Sequence, residues 1–184
     1  METSTRHLFD YAGNLVSRTT TANAFPKKPL QRYPARPLKR RYVPQTAKAG
    51  TVFGIVDIGS ERESRVPLVQ EYKNRRWKLP GGGVRDSETE TEALVRELEE
   101  EINLRVPKEG WRTMRQWYCG GHLVRVYTIW LPSIRRENIR PGRGFEIEYA
   151  DVFDRQQVQR LKQDQLIVPT HYLHLSYYWR FQCG

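Results

Sequence analysis

The stretch GGGVRDSETETEALVRELEEEINL, residues 81–104, decides how this chain is read. Leu94, Leu98 and Ile102 recur every four residues and form one apolar stripe at helical spacing, with Thr91 and Val95 beside it. Ala93, Glu97, Glu100 and Glu101 fall on the adjacent face. Ser87 and Glu90 have the spacing of a capping box, so a helix is expected to open at Ser87. Glu88, Glu90 and Glu92 then lie in the first turns, where the helix dipole favours anions. Glu97 to Glu101 lie towards the end, where it opposes them. Each like-charged pair at i,i+3 or i,i+4 costs about 0.2–0.5 kcal/mol even in water. Two readings of this face stand at this point. It is a solvated acidic surface, or its carboxylates converge on a cation. An oxygen-only donor set selects a hard ion such as Mg²⁺ or Mn²⁺. The glycines in front favour the second reading, because residues without Cβ let bare amides and carbonyls approach a phosphate or a metal.

Outward from this stretch the chain reads as strands on both sides of one helix. TVFGIVDI is a buried strand bounded by Gly50 and Gly59, ERESR a turn, VPLVQEY a second strand, and Trp77–Leu79 a short strand running into a Pro-Gly loop. WRTMRQWYCGGHLVRVYTIWL contains two strands with Gly120 and Gly121 at the hairpin turn. FEIEYADVF is a further strand, DRQQVQRLKQ a polar helix with an Asp cap, and a last helix opens at Pro169. Strands, a central helix, strands and two helices make a mixed sheet covered by helices on both faces, an α/β/α arrangement.

Residues 1–47 differ from the rest. No acidic residue occurs between Asp10 and Asp57, and FPKKPLQRYPARPLKRRYVP, residues 25–44, holds five prolines and seven basic residues. The prolines fix φ and remove donors, so this segment is expected to be extended. Two roles are open to it: a solvated tail or surface strap, or a phosphate-backbone contact with Tyr33 and Tyr42 as stacking surfaces. The domain proper is expected over 48–184. The chain has 184 residues and a net charge of +10, which suits anionic partners. Its two cysteines, Cys119 and Cys183, form neither a metal motif nor a disulfide framework. No apolar run approaches the roughly 18 residues that span a bilayer, and no apolar signal core opens the chain. A cytoplasmic protein that avoids membranes is expected.

The 81–104 stretch resembles the signature of Nudix hydrolases. Gly82 is followed after five residues by Glu88, and seven residues later Arg96 and Glu97 follow. Leu98, Glu100, Glu101 and Leu104 then fall in register. The one departure is Asn103, where the family has Gly. Asn is the residue other than Gly that most readily takes the left-handed conformation, so the turn is expected to survive. The lead-in WKLPGG, residues 77–82, is also similar. The resemblance implies an α/β/α Nudix fold and divalent-metal-dependent hydrolysis of a diphosphate. It further implies metal ligands at Glu97, Glu100, Glu101 and the Gly81 carbonyl, and an orienting ion pair of Arg96 with Glu88. The catalytic base is sought among Glu100, Glu101, Glu146 and Glu148, the last two alternating along a strand.

The substrate class is not contained in the signature. Arg75, Arg76, Arg112, Arg115 and Arg125 are candidates for phosphate contacts, and Trp77, Trp117, Tyr118 and Tyr127 for base stacking. The expected substrate is a nucleoside diphosphate derivative: a nucleoside triphosphate, a dinucleoside polyphosphate or a nucleotide sugar. Two alternatives stand beside it: RNA 5′ ends or inositol pyrophosphates, for which the basic segment speaks, and a module that binds nucleotide or nucleic acid without hydrolysis.

Overall fold

The computed structural model describes residues 6–9, 15–18, 47–142 and 146–182. The chain divides into two compact units, Met1–Arg40 and Arg41–Gly184. In the first, β1 (Arg6–Phe9) pairs antiparallel with β2 (Leu15–Arg18), Arg6 opposite Arg18. The expectation of extended chain at 25–44 falls outside the described residues, as do Cys183 and both tyrosines assigned to stacking.

The second unit is a sandwich. Its strands are β3 (Thr51–Asp57), β4 (Arg65–Glu71), β5 (Trp77–Lys78), β6 (Gly81–Gly83), β7 (Arg112–Cys119), β8 (His122–Trp130) and β9 (Ile147–Asp154). The helices are α1 (Glu90–Ile102), α2 (Arg155–Gln163) and α3 (Pro169–Gln182). One sheet has the order β6-β3-β8-β7 and the other β5-β4-β9. β3 runs parallel to β8, with α1 in the crossover between them, while the remaining pairings are antiparallel. Both faces of β3 are covered, so it reads as a nearly continuous apolar run. Val56 packs with Val69, Leu98, Ile102 and Ile129 under α1. Ile55, one residue earlier, packs with Val66, Leu68, Val126, Leu175 and Trp179 under α2 and α3. This is the α/β/α layering that the sequence pattern implies.

The hairpin at Gly120–Gly121 forms as expected, with both glycines at positive φ, 58° and 87°. α2 opens at Asp154, whose carboxylate accepts from Gln157 N–H at 2.8 Å. α1 corrects the expected start. Its N-cap is Thr89, not Ser87, and the capping box closes on Glu92 rather than Glu90. Glu88 and Glu90 are drawn away by two arginines, as described below. At the other end Asn103 takes φ 53° and ψ 33°. Its N–H reaches Glu99 O, and Leu104 N–H reaches Leu98 O, which satisfies the last carbonyls as glycine would. Arg140 N–H and Gly142 N–H donate to Ile102 O and Glu101 O. No α1 carbonyl among these is left bare at the end that carries the carboxylates.

A histidine pair lies under α3. His171 Nδ1 accepts from Leu79 N–H at 3.1 Å, and its ring stands edge-on to Phe53. His174 stacks on Trp117, and both of its ring nitrogens are buried without a hydrogen-bond partner. Burial, with the charges of His174 and Lys78 nearby, lowers His171 to about 3. Burial, with Arg115 nearby, lowers His174 to about 4. Both rings are neutral in the folded protein and titrate near 6.5 when unfolded. Between those values the unfolded chain binds more protons, so stability falls as the pH drops below about 6.5 and continues to fall towards about 4. Two fully shielded rings would lose about 4 kcal/mol between pH 7 and pH 5. Glu101, raised to about 7 as described below, takes up its proton over the same range and offsets about half of this, so the expected net loss is about 2 kcal/mol. Thermal melts at the two pH values measure it, and His174→Phe should flatten the slope. A His174→Phe protein with the parent's pH slope would contradict a neutral buried ring at that position.

Candidate active site

The loop before α1 is pressed against the helix. Gly81 has φ 137°, and a Cβ there would run into the Val52 carbonyl. A Cβ on Gly82 would run into the Glu97 carboxylate. Glycine at both positions lets β6 pair with β3, Gly82 opposite Val52, while the carboxylate face of α1 lies directly over it.

Arg96 organises this junction. Its Nε and Nη2 hold the two oxygens of Glu88 at 3.1 and 2.7 Å, a two-pronged contact. Nη2 also reaches Gly83 O at 2.9 Å. Nη1 lies between two carboxylates, 2.8 Å from Glu97 Oε1 and 3.1 Å from Glu100 Oε2. The hydrogen bonds from Arg96 hold Glu88 down to about 2, and Glu88 in turn raises Arg96 further above its ordinary range. The expected pair of Arg96 with Glu88 is therefore formed, and the same guanidinium also bridges Glu97 to Glu100.

Glu101 is held by a different set of partners. It is only 8% exposed. Gly81 N–H donates to its Oε2 at 2.8 Å, and Lys78 Nζ stands 3.2 Å from its Oε1. Burial outweighs the pull of Lys78 and raises Glu101 to about 7. Burial works against the Lys78 charge as well, but Glu101 and Glu71 together outweigh it and raise the amine.

Glu97, Glu100 and Glu101 line one cleft of about 870 Å³, together with Gly83, Arg85, Arg96, Arg105 and Glu146. Arg85 reaches Glu100 at 3.6 Å and Arg105 reaches Glu99 at 2.8 Å, both from exposed positions. The donor set facing the cleft is oxygen only, which fits a hard divalent ion. The carboxylates are not gathered on one point: among the described residues no three His, Cys, Asp or Glu side chains converge as a ready metal centre. Arg96 and Lys78 take up their charge instead. Gly81, expected to contribute its carbonyl, has its amide on Glu101.

The strand candidates separate. Glu146 stands in the turn before β9, its carbonyl accepting from Tyr72 N–H at 3.0 Å, and it lines the cleft. Glu148 is half-buried on β9 and is not among the lining residues. Of the nine candidate substrate contacts, Arg75, Arg76, Trp77, Arg125 and Tyr127 are placed elsewhere too. Arg75 sits exposed in the β4–β5 turn at φ 51°, with Arg76 exposed beside it. Trp77 packs edge-on against Phe153 in the α2–α3 core. Arg125 is 6% exposed and spends its guanidinium internally. Its Nη1 holds Glu90 Oε1 and Oε2 at 2.6 and 2.7 Å, Nη2 holds Ala47 O at 2.9 Å, and Nε holds Gln116 at 3.0 Å. Tyr127 OH donates to the same Glu90 at 2.6 Å, and Ala49 N–H at 2.7 Å. Glu90 thus belongs to a buried ion pair rather than to the helix start, and Arg125 and Tyr127 belong to it rather than to a substrate. Lys78, Glu71, Arg85 and Arg105 carry no mark in the sequence that separates them from other surface charges.

Comparison with known proteins agrees with this fold. Residues 48–171 match the family model of the NUDIX domain. No protein of curated function matches the chain in sequence. Among solved structures, the NUDIX domain of Shewanella oneidensis NrtR complexed with ADP ribose is similar, with 15% identity and a TM-score of 0.55 over 76% of this chain and 92% of that one. The C. elegans Ap4A hydrolase binary complex is similar with 16% identity and a TM-score of 0.51, over 74% and 98%. A MutT/nudix family protein from Enterococcus faecalis matches with 20% identity and a TM-score of 0.49 over 62% of this chain, which spans under half (47%) of that longer protein. The signature from Gly82 to Leu104, the α/β/α layers around it and the family match over two thirds of the sequence place the chain in the NUDIX family.

Proposed function

We propose that this protein is a divalent-metal-dependent pyrophosphohydrolase that cleaves the diphosphate linkage of a nucleoside diphosphate derivative. The observation that supports this reading most is the single cleft whose wall carries Glu97, Glu100 and Glu101 between the flanking cations Arg85 and Arg105. Glu97, Glu100 and Glu101, with the Gly81 backbone, are the residues that would hold Mg²⁺ or Mn²⁺. Such an ion neutralises phosphate charge and lowers the pKa of a bound water.

The chain's own part in the reaction is placement and proton acceptance. Arg96 holds the loop to the helix through Glu88 and Gly83, so the carboxylates keep their spacing. Arg85 and Arg105 supply guanidinium forks at the rim, where phosphate oxygens would lie. Water adds to one phosphorus, the bridging P–O bond breaks, and the two phosphate products leave. Glu146 is the favoured acceptor of the water proton, because it lines the cleft from beyond α1 whereas Glu148 does not.

ADP-ribose-like and dinucleoside polyphosphate compounds open the substrate panel, because the NrtR domain was solved with ADP ribose and the C. elegans protein is an Ap4A hydrolase. The net charge of +10 and the basic 25–44 segment favour a second reading, in which the diphosphate belongs to an RNA 5′ end or an inositol pyrophosphate. Incubation of the full chain with both classes under Mg²⁺ or Mn²⁺, with products identified by mass, decides between them. Turnover of small nucleotides that Glu100→Gln abolishes is the expected result. Turnover confined to RNA or inositol pyrophosphates would replace the first reading with the second. Metal-independent binding without turnover of any compound would leave a non-catalytic module.

A further inference from the structure

β5 pairs with β4 so that Lys78 stands opposite Val69. Val69 belongs to the apolar cluster beneath α1, so this side of the strand pair looks at the helix. Glu71, two residues beyond Val69, shares that side. The register therefore gathers three charges in one shielded place. Lys78 Nζ is 2.7 Å from Glu71 Oε1 and 3.2 Å from Glu101 Oε1, with 15% of the lysine side chain exposed. Asn74 Nδ2 donates to the other oxygen of Glu71 at 2.6 Å and fixes the far end of the row.

An ammonium on one of the carboxylates credited with cation binding has two opposed effects. It orients Glu101, because Lys78 engages Oε1 while Gly81 N–H engages Oε2, and a carboxylate held at both oxygens does not swing. It also places a positive charge beside a site meant for a cation, which Glu71 offsets. We propose that Lys78, anchored by Glu71, is the positioning residue of Glu101: it fixes the aim of that carboxylate and holds Oε1 back from the cleft, at some expense in cation affinity. The inference rests on the carboxylate site assigned above and adds the device that sets its geometry.

Three readouts on the full chain test it, with Mn²⁺ alone as the probe in the first. Lys78→Met leaves Glu71 and Glu101 facing each other without a cation. Free Mn²⁺ followed by electron paramagnetic resonance should then show binding tightened about threefold or more. On the compound found by the substrate panel, kcat at saturating Mn²⁺ should fall about tenfold, because Glu101 is no longer held. Glu71→Gln combined with Lys78→Met removes one charge of each sign and should return Mn²⁺ affinity to within about twofold of the parent. Lys78→Met with parental affinity and parental kcat overturns the proposal, and so does a double variant that keeps the tighter binding. If the parent binds Mn²⁺ but hydrolyses nothing, the enzymatic reading fails and the Mn²⁺ series still decides the role of Lys78. If the parent binds no Mn²⁺, melting in metal-free buffer decides it. Lys78→Met should melt below the double variant at a pH where both carboxylates are ionised, and the reverse order overturns the proposal.

Discussion

Arg125→Met is expected to destabilise the protein by about 3–5 kcal/mol, because it strands a buried carboxylate rather than removing an interaction cleanly. Glu90 accepts from Arg125, Tyr127 and Ala49, and only 11% of its side chain is exposed. With the guanidinium gone, a neutral phenol and one amide face a full negative charge. For a domain of this size the melting temperature should fall by about 10 °C or more. Combining Arg125→Met with Glu90→Gln should recover a good part of that loss, since no charge then remains unpaired. Chemical denaturation of the three proteins measures both effects. A loss under about 1 kcal/mol for the single variant would show that the pair behaves as a solvated one.

Glu97→Gln should act on turnover rather than on folding. The amide keeps the shape that rests on Gly82 and an oxygen for Arg96 Nη1, so the melting temperature should stay within a few degrees. The charge offered to a cation is lost. A bound cation contributes several kcal/mol to a transition state that gathers negative charge, so kcat should fall about 10³-fold. Steady-state kinetics under saturating Mg²⁺ checks this. A kcat within about tenfold of the parent would remove Glu97 from the site.

How much of this was legible depends on how far apart the partners lie in the chain. The carboxylate face of α1 follows from the helical period alone, and the Arg96–Glu88 pair follows from the spacing shared with Nudix hydrolases. Helical spacing puts Glu101 with its two neighbours on that face but carries no sign of its burial. Its burial depends on Lys78 crossing from another strand, and the β4–β5 register that brings Lys78 there has no local signal. Arg125 has the same lack of a local signal for its burial. Alternation along β8 gives its face, but only the packing of α1 over that face turns an arginine inward. The helix start shows the competition most plainly. Ser87 with Glu90 and Thr89 with Glu92 both have capping-box spacing. The second is used because Glu90 is taken by Arg125 and Glu88 by Arg96. Long-range ion pairs decided between two equal local signals.

The Arg125 contact to Ala47 O and the Glu90 contact to Ala49 N–H also set how short the chain can be made. A cut at residue 47 or 48, where the composition changes and the family match begins, runs through this knot. A truncated protein starting at Gly50 would lose both backbone partners and loosen the first turn of α1, whose later turns carry the carboxylates. A truncation that starts a few residues before Ala47 keeps the knot whole. Loss of activity on trimming at the apparent boundary would then report damage to the helix that carries the carboxylates, and it would not by itself give the basic segment a role in substrate binding.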